Sequence, residues 1–281
     1  MPLILLDFDG TITQSDSINS LVHSAITNSP TLSHDPGAAS QAWAFIVNAW
    51  LADLEAHVAA YSPPAESRTT AEEELVYLES LEALEKASVA RVEKAGLFAG
   101  LTEKKLEELG KEVVAKGEVR LRKGFEELMK EIGQRGLGVG VVSVNWSEGW
   151  VRGAVGTEVE GVVNSIGEDG RLKGPDVEGF GRDRMMLTAG DKVEAARGLV
   201  KRNGGGKWMY VGDSTTDLGC LLEADVGVVM GDRESSKLLQ MLGRVGFEVP
   251  RVEERMEAQG LVWARDFEEV LRCGVLDWLR D

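Results

Sequence analysis

Two aspartates near the start of the chain are the first residues whose type and spacing could do chemistry. Asp7 and Asp9 directly follow the aliphatic residues 3–6, and side chains two residues apart on an extended chain point to the same side. Paired carboxylates can supply a nucleophile and a proton donor, or oxygen ligands for a hard metal ion. The Asp-x-Asp pattern also occurs in turns and helix caps, so the pair alone leaves a structural role open.

Three later stretches carry further candidates. Ser143 ends the apolar run VGVVS, Lys192 lies in GDKVEAAR, and Asp213 and Asp217 lie in YVGDSTTDL. Each residue also has an ordinary use, because a serine can end a strand and the GDSTTD segment can cap a helix. Lys173 is an alternative to Lys192 as the functional lysine, but it belongs to a predicted hairpin.

The alternation of strands and helices predicts where these residues lie. Residues 3–6 are apolar without polar alternation, which is typical of a strand buried on both faces of a parallel sheet. Beyond residue 122 the alternation is that of an α/β protein with a doubly wound parallel sheet. The elements predicted there are helices at 124–133, 148–155, 191–201 and 218–224, a β pair at 162–172, strands at 137–144, 208–211, 226–230 and 261–264, and a terminal helix. Ligands of such folds bind beyond the carboxyl ends of the strands.

Residues 15–118 interrupt this pattern with an almost entirely helical segment. Apolar residues recur there at three- and four-residue spacing, and the many glutamates near Leu75 and Leu84 are expected to form a solvated face. The predicted elements are helices at 14–29, 41–60, around residues 75–84 and at 102–116, with a surface loop at 28–40. The chain thus divides into a core domain, residues 1–14 and 119–281, and a helical domain, residues 15–118.

Taken in order, the stretches around Asp7, Ser143, Lys192 and Asp213 resemble the four signature motifs of the haloacid dehalogenase (HAD) superfamily of phosphohydrolases. The resemblance implies a Rossmann-like core with an inserted helical cap, and a Mg²⁺-dependent phosphatase. Asp9 argues against carbon–halogen chemistry, because a second acid at this position separates the phosphatases of the superfamily from its dehalogenases.

The resemblance also implies roles for the acids. Asp7 would attack phosphorus and form an aspartyl-phosphate, while Asp9 would protonate the leaving oxygen and later deprotonate the attacking water. Asp213 would bind Mg²⁺ together with Asp7 and the backbone carbonyl of Asp9. Asp217 would either help to bind the ion or orient the catalytic lysine.

Two further roles follow from the same resemblance. Ser143 would hydrogen-bond a phosphate oxygen, and Lys192 would stabilise both Asp7 and the transferring phosphoryl group. The segment DGRLKG, which contains Lys173, is similar to the hairpin between the second and third motifs of phosphoserine-phosphatase-like members.

The helical domain is expected to select the substrate. Asp16 lies where phosphoserine phosphatases carry a glutamate for the substrate ammonium group, although capping the next helix is an equally good use. A fuller resemblance is to the phosphatase domain found beside TenA-type proteins in plants, thought to act on thiamin monophosphate. Its features are Asp16 and Ser17, Trp146, and the run GDSTTDLGCLLEADVGVVMG.

Phosphoserine is the alternative substrate. Val144 and Asn145 replace the paired glycines of phosphoserine phosphatase, and no clear arginine is placed for a substrate carboxylate. We therefore predict contacts from Asp16, Asn145 and Trp146 to a heterocyclic phosphate. Aromatic residues that could stack on its ring, or simply form core, are Trp43, Trp50, Phe98, Trp146 and Trp150.

Composition limits the other partners. The formal net charge of -16 disfavours nucleic acid and anionic membranes, so positive charge for a phosphate ester must come from a metal ion and a lysine. Cys220 and Cys273 lack metal-site spacing and are expected to be buried free thiols. The sequence contains neither a long apolar run nor a signal-peptide pattern, which predicts a cytoplasmic protein acting on a small phosphomonoester. Its oligomeric state is left open.

Two other functions remain as alternatives. A phosphomutase would use the same aspartyl-phosphate but return the phosphoryl group to a sugar. A retired phosphatase would serve as a binding module, yet such members usually lose a catalytic acid, and Asp7, Asp9, Lys192 and Asp213 are all present.

Overall fold

A parallel sheet forms the centre of the structure, a computed structural model that describes residues 1–157, 159–175, 177, 180, 184–232, 236–254 and 260–279. The strands are β1 (Leu3–Leu6), β2 (Gly138–Ser143), β3 (Glu160–Val163), β4 (Ser165–Ile166), β5 (Leu172–Lys173), β6 (Trp208–Gly212), β7 (Val226–Met230) and β8 (Gly260–Ala264). The helices are α1 (Ile18–Asn28), α2 (Pro36–Ala60), α3 (Ala71–Ser80), α4 (Glu82–Ala95), α5 (Glu103–Ala115), α6 (Phe125–Arg135), α7 (Glu148–Val155), α8 (Ala189–Arg202), α9 (Leu218–Glu223), α10 (Lys237–Arg244) and α11 (Phe267–Arg272).

The order of the strands places β1 at the middle of the sheet. Six strands pair in the order β3-β2-β1-β6-β7-β8, and every pair is parallel. Leu6, the last residue of β1, lies opposite Val141 of β2 and Val211 of β6. Because the chain winds in opposite directions on the two sides of β1, a crevice opens beyond its carboxyl end. The predicted doubly wound α/β core is confirmed.

Helices cover both faces of this sheet. Ile4 and Leu6 of β1 pack in one apolar cluster with residues of α6, α7 and α11. Leu3 and Leu5, whose side chains alternate with these, pack in a second cluster with residues of α8, α9 and α10. Burial on both faces explains why β1 is apolar throughout.

The inserted segment is helical, as predicted, with α1 to α5 lying between β1 and β2 in the sequence. The chain leaves and re-enters the core side by side, because Thr13 forms an antiparallel bridge with Leu121. The proposed division into residues 15–118 and the remainder stays a prediction. Among the described residues, no helix is both long and apolar enough to cross a bilayer.

One helix of the insertion packs unusually closely on the core. A Cβ built on Gly153 of α7 would lie 2.1 Å from the backbone oxygen of Glu107 in α5. At the N-terminal end of α5, the Glu103 carboxylate accepts hydrogen bonds from Ser147 Oγ at 2.8 Å and from the backbone N–H of Ile166 at 2.6 Å. Close packing and buried hydrogen bonds thus join α5 to the core.

Two predictions of local structure are wrong, and one helix was not predicted. The predicted 28–40 loop is shorter, because Asp35 accepts a hydrogen bond from Ala38 N and α2 already begins at Pro36. The predicted β pair at 162–172 is two features: β3 is an edge strand of the main sheet, and β4 pairs with β5 as a hairpin. Helix α10 was missed, although Leu238, Met241 and Leu242 have helical spacing and are buried.

Two predictions about burial also need correction. The glutamates of α3 and α4 are not all solvated, since Glu74 is buried and paired with Arg68, and Glu85 lies half-buried in the interior of the inserted segment. Of the two free cysteines, Cys220 is buried as expected, but Cys273 is partly exposed.

Candidate active site

Three neighbouring strands end at the same edge of the sheet and carry the predicted residues there. Asp7 follows β1, Ser143 ends β2, and Asp213 follows β6. Asp7 and Ser143 are buried, and both line the same cavity as Asp213. The parallel order of the sheet therefore brings together residues that lie up to about two hundred positions apart in the sequence.

The turn after Asp9 fits tightly against Asp213. Gly10 has a φ of 78°, and a Cβ built there would lie 2.2 Å from Asp213 Oδ2. Only glycine can adopt this conformation and approach Asp213 so closely, so no other residue type fits at position 10. Thr11 Oγ1 donates to Asp213 Oδ1 at 3.0 Å, and the buried Arg122 donates from Nε to the carbonyl of Thr11 at 3.1 Å.

Lys192 lies between two carboxylates at the bottom of the site. Its Nζ donates to Asp7 Oδ1 and to Asp217 Oδ1, each at 2.6 Å. Burial alone would lower the pKa of Lys192, but the charges of Asp217 and Asp7 and their hydrogen bonds outweigh burial and raise this pKa. Lys192 is therefore a fixed ammonium, whereas its rival Lys173 lies in β5 with an exposed side chain.

Both carboxylate oxygens of Asp217 accept hydrogen bonds from protein groups. Oδ1 accepts from Lys192 and from Tyr210 OH at 2.7 Å, while Oδ2 accepts from the backbone N–H groups of Asp213 and Ser214 at 3.1 and 2.9 Å. Of the two roles left open for Asp217, this arrangement favours orienting Lys192 over binding a metal ion.

The acids nevertheless form a site whose charge and donor atoms fit a divalent cation. One oxygen from each of Asp7, Asp213 and Asp217 lies within 4.8 Å of the others. Three carboxylates face one ammonium, so two negative charges remain, and hard oxygen donors are those that Mg²⁺ prefers.

The pKa values of Asp213 and Asp7 are raised, in agreement with this excess of negative charge. Burial and then the charge of Asp217 raise the pKa of Asp213 to about 7. Burial also raises the pKa of Asp7, where Lys192 opposes this effect and the charges of Asp217 and Asp213 add to it. A cation among these groups would relieve the repulsion.

Asp9 points away from this cluster and is held by two donors. Its Oδ1 accepts from the backbone N–H of Ser17, and its Oδ2 accepts from Asn145 Nδ2, both at 2.7 Å. Burial and then the charge of Asp16 raise the pKa of Asp9, against the effect of hydrogen bonds from Ser17 and Asn145. Its carboxylate is thus outside the metal-binding cluster, and the raised pKa suits a proton donor.

The residues predicted to contact substrate all line the cavity, but each also has a structural partner. Asn145 binds Asp9 and donates its backbone N–H to Ser143 Oγ at 3.2 Å. Asp16 Oδ1 accepts from the backbone N–H of Ile18 at 2.7 Å, so its capping role is real. Trp146 packs edge-on against Trp43, with ring centroids 6.1 Å apart.

The cavity above these residues has a volume of about 550 Å³, which is typical of small-ligand sites. Its aromatic residues are Trp43 and Trp50 of α2 and Trp146 after β2. Two residues predicted as stacking candidates belong to the core instead: Trp150 is fully buried and bonds Ser17 through Nε1, and Phe98 packs behind Trp146.

Sequence analysis missed one acid of the cavity. Glu85 of α4 lines it and accepts a hydrogen bond from Trp50 Nε1 at 3.1 Å. Nothing local distinguishes Glu85 from the other glutamates of its helix, because its position depends on how α4 packs against α2. Tyr210, which supports Asp217, was also missed since it reads as one more apolar strand residue.

Comparisons with known proteins agree with this architecture. A family model described as haloacid dehalogenase-like hydrolase matches residues 1–225. The chain is 24% identical over 263 residues to a CTO1 family protein of Schizosaccharomyces pombe, covering 86% of this chain and 85% of that protein.

Solved structures extend the similarity to three dimensions. A substrate-bound phosphoserine phosphatase complex has a TM-score of 0.51 at 18% identity, with 96% of each chain covered. A phosphoserine phosphohydrolase-like protein from Francisella tularensis has a TM-score of 0.51 at 16% identity, with 97% of this chain and 99% of that chain covered. At such identities the similarity establishes the fold.

Proposed function

Because the chain belongs to the haloacid dehalogenase-like hydrolase family and is an enzyme of its phosphatase type, we propose that it hydrolyses a small phosphomonoester through an aspartyl-phosphate intermediate, with Mg²⁺ as cofactor. The observation that carries this proposal is the buried Lys192 bound to Asp7 beside Asp213, at the floor of a ligand-sized cavity. The residues proposed as nucleophile, counter-charge and metal ligand thus lie together, with Asp7 after β1, Asp213 after β6 and Lys192 in α8.

The first half of the reaction uses Asp7 and Asp9. Lys192 binds Oδ1 of Asp7, so the attack on phosphorus falls to the other carboxylate oxygen, Oδ2. The new Oδ2–P bond forms as the bond between phosphorus and the alcohol oxygen breaks, and Asp9 gives its proton to that oxygen. The oxygen of Asp9 that carries the proton would donate it toward the alcohol oxygen, while the other oxygen keeps its hydrogen bond.

The second half restores the enzyme. Asp9, now a carboxylate, takes a proton from water, and the resulting hydroxide attacks phosphorus and displaces Asp7. Inorganic phosphate leaves and Asp9 is again protonated, as its raised pKa favours. Throughout, Lys192 and the hydroxyl of Ser143 would hydrogen-bond the phosphoryl oxygens, and Asp217 would hold Lys192 in place.

Mg²⁺ would be held by the carboxylates of Asp7 and Asp213 and by the backbone carbonyl of Asp9, with Asp217 as the remaining candidate. Such an ion supplies charge neutralisation, which lets an anionic nucleophile approach an anionic phosphate.

The cavity supports a heterocyclic phosphate, such as thiamin monophosphate, as the substrate. Three tryptophans line the cavity, and its described lining includes no arginine to bind the carboxylate of phosphoserine. Phosphoserine is the second candidate and a phosphomutase reaction the third, since both would use the same Asp7. The intact set of acids speaks against a retired binding module, and the free cysteines support a cytoplasmic location.

Phosphate release from a panel of phosphomonoesters tests the proposal. The panel should contain thiamin monophosphate, pyridoxal phosphate, phosphoserine, nucleotides and sugar phosphates, assayed with Mg²⁺ or with EDTA. We expect Mg²⁺-dependent release with the heterocyclic esters fastest, and complete loss of turnover in Asp7→Asn. Turnover that survives Asp7→Asn would refute the assigned nucleophile, and formation of a sugar bisphosphate would favour the mutase.

A further inference from the structure

The wall of the cavity opposite the sheet carries a carboxylate that the reaction does not use. Glu85 of α4 lines the same cavity as Asp7 and Asp9 and is half-buried there. Glu82, three residues earlier, has a side chain that is 43% exposed and forms an ion pair with Lys86. Glu85 is therefore set apart from the solvated glutamates of α4 by its position.

Glu85 lacks a cationic partner in the cavity. Trp50 Nε1 donates to its Oε1 at 3.1 Å, which is a neutral contact. The described lining contains a single lysine and no arginine, and that lysine, Lys192, is already bound between Asp7 and Asp217. Burial raises the pKa of Glu85, and the hydrogen bond from Trp50 only partly offsets this effect. A partly buried carboxylate without a cationic partner is stabilised by a positively charged ligand group.

The tryptophans beside Glu85 offer apolar and π surface rather than hydrogen bonds. Trp43 Nε1 donates to Asn19 Oδ1 at 2.9 Å, and Trp50 Nε1 donates to Glu85 itself. With both N–H groups engaged, what these two side chains present to a ligand is ring surface, which attracts aromatic rings and cations. Asp16, which also lines the cavity, adds a second negative charge to it.

We propose that Glu85 determines substrate specificity by pairing with a positively charged aromatic ring in the alcohol part of the phosphomonoester. The phosphate end lies at Asp7, and the cationic ring lies among Trp43, Trp50 and Glu85. This inference rests on the proposed phosphatase function and adds to it a substrate class, the zwitterionic aryl-cation phosphates, and a recognition residue.

A matched pair of substrates isolates the charge. 2-(Pyridinium-1-yl)ethyl phosphate and 2-phenylethyl phosphate have the same shape and differ in one positive charge on the ring. We expect the native protein to favour the cationic ester in kcat/KM, and Glu85→Gln to reduce that preference at least about ten-fold, as the removal of one charge of a partly buried ion pair does. The loss should fall on KM for the cationic ester, with the neutral ester changed little.

Two controls separate this inference from the proposed function and from folding. Glu82→Gln, on the exposed face of the same helix, should leave the preference unchanged, and thermal unfolding should show that both variants fold. p-Nitrophenyl phosphate reports the phosphatase reaction without a cationic ring. Hydrolysis of this ester with no preference for the pyridinium ester, or with an equal loss on both esters in Glu85→Gln, overturns the role of Glu85. No hydrolysis of any ester overturns the phosphatase proposal, and the Glu85 inference with it.

Discussion

Acidification should weaken Mg²⁺ binding through Asp213. This carboxylate must lose its proton before it can bind the ion, and its pKa is about 7. Asp213 is then about one-tenth ionised at pH 6 and about nine-tenths ionised at pH 8, so the ionisation of Asp213 by itself should lower the Kd for Mg²⁺ about ten-fold over this interval.

Calorimetric titration of the protein with MgCl₂ at the two pH values measures this change. At pH 7, repeating the titration in two buffers of different ionisation enthalpy should reveal the release of about half a proton from Asp213 per ion bound. Asp213→Asn should bind Mg²⁺ weakly at both pH values, without this proton release. A Kd that is constant from pH 6 to 8 in the native protein would refute the reasoning.

The same pKa has a consequence for stability, with the opposite sign. Since the pKa of Asp213 is raised in the folded protein, the native state holds this proton more tightly than the unfolded chain does. The stability gained from that proton is fully present below about pH 4 and is lost as the pH rises through about 7. Calorimetry in EDTA should therefore show a Tm that falls between pH 5 and 8, and added Mg²⁺ should raise the Tm more at pH 8. A larger effect of Mg²⁺ at pH 5 would contradict this linkage.

Two further changes test the supports of the site. Asn145→Ala removes a hydrogen bond that lowers the pKa of Asp9, so the alkaline limb of the pH profile of kcat/KM should move up by about one unit; an unmoved limb would mean that Asp9 is not the proton donor. Gly153→Val places side-chain atoms against the backbone of Glu107 and should reduce the free energy of unfolding in urea by about 1–3 kcal/mol. Gly133→Ala, where nothing lies within 4 Å, is the control, and an equal loss in both variants would remove the close packing as the cause.

The grouping of the candidate site residues was predictable because each residue follows a local pattern. Asp7 and Asp213 stand directly after apolar strands, and parallel strands necessarily bring such ends to one edge. The fold class could be predicted for the same reason, as alternating strands and helices allow few arrangements. The sequence could not decide whether Asp217 binds the metal ion or orients Lys192. Its contacts to Lys192 and Tyr210, which only the structure shows, favour the second role.

The wall of the cavity was not predictable in the same way. The sequence around Glu85 suggests a solvated acid on a charged helix, but Glu85 lines the cavity. Trp150 lies near the second motif and was a candidate to stack on the substrate, but it is buried in the core. Which face of α4 meets α2 depends on packing between helices of the insertion, and no short pattern encodes it. Sequence therefore predicts the reaction better than the substrate.

The distribution of charge connects the reaction to the proposed substrate. The chain carries a net charge of -16, and Lys192, the cation at the cavity floor, is matched by Asp7 and Asp217. A simple anionic ester would meet repulsion both from the protein as a whole and from Asp16 and Glu85, which line the cavity. A zwitterionic ester offers its phosphate to the metal-binding acids once Mg²⁺ is present and its cation to the wall. The same acidic surroundings that would bind the proposed Mg²⁺ at one end of the cavity would thus favour a positively charged group at the other.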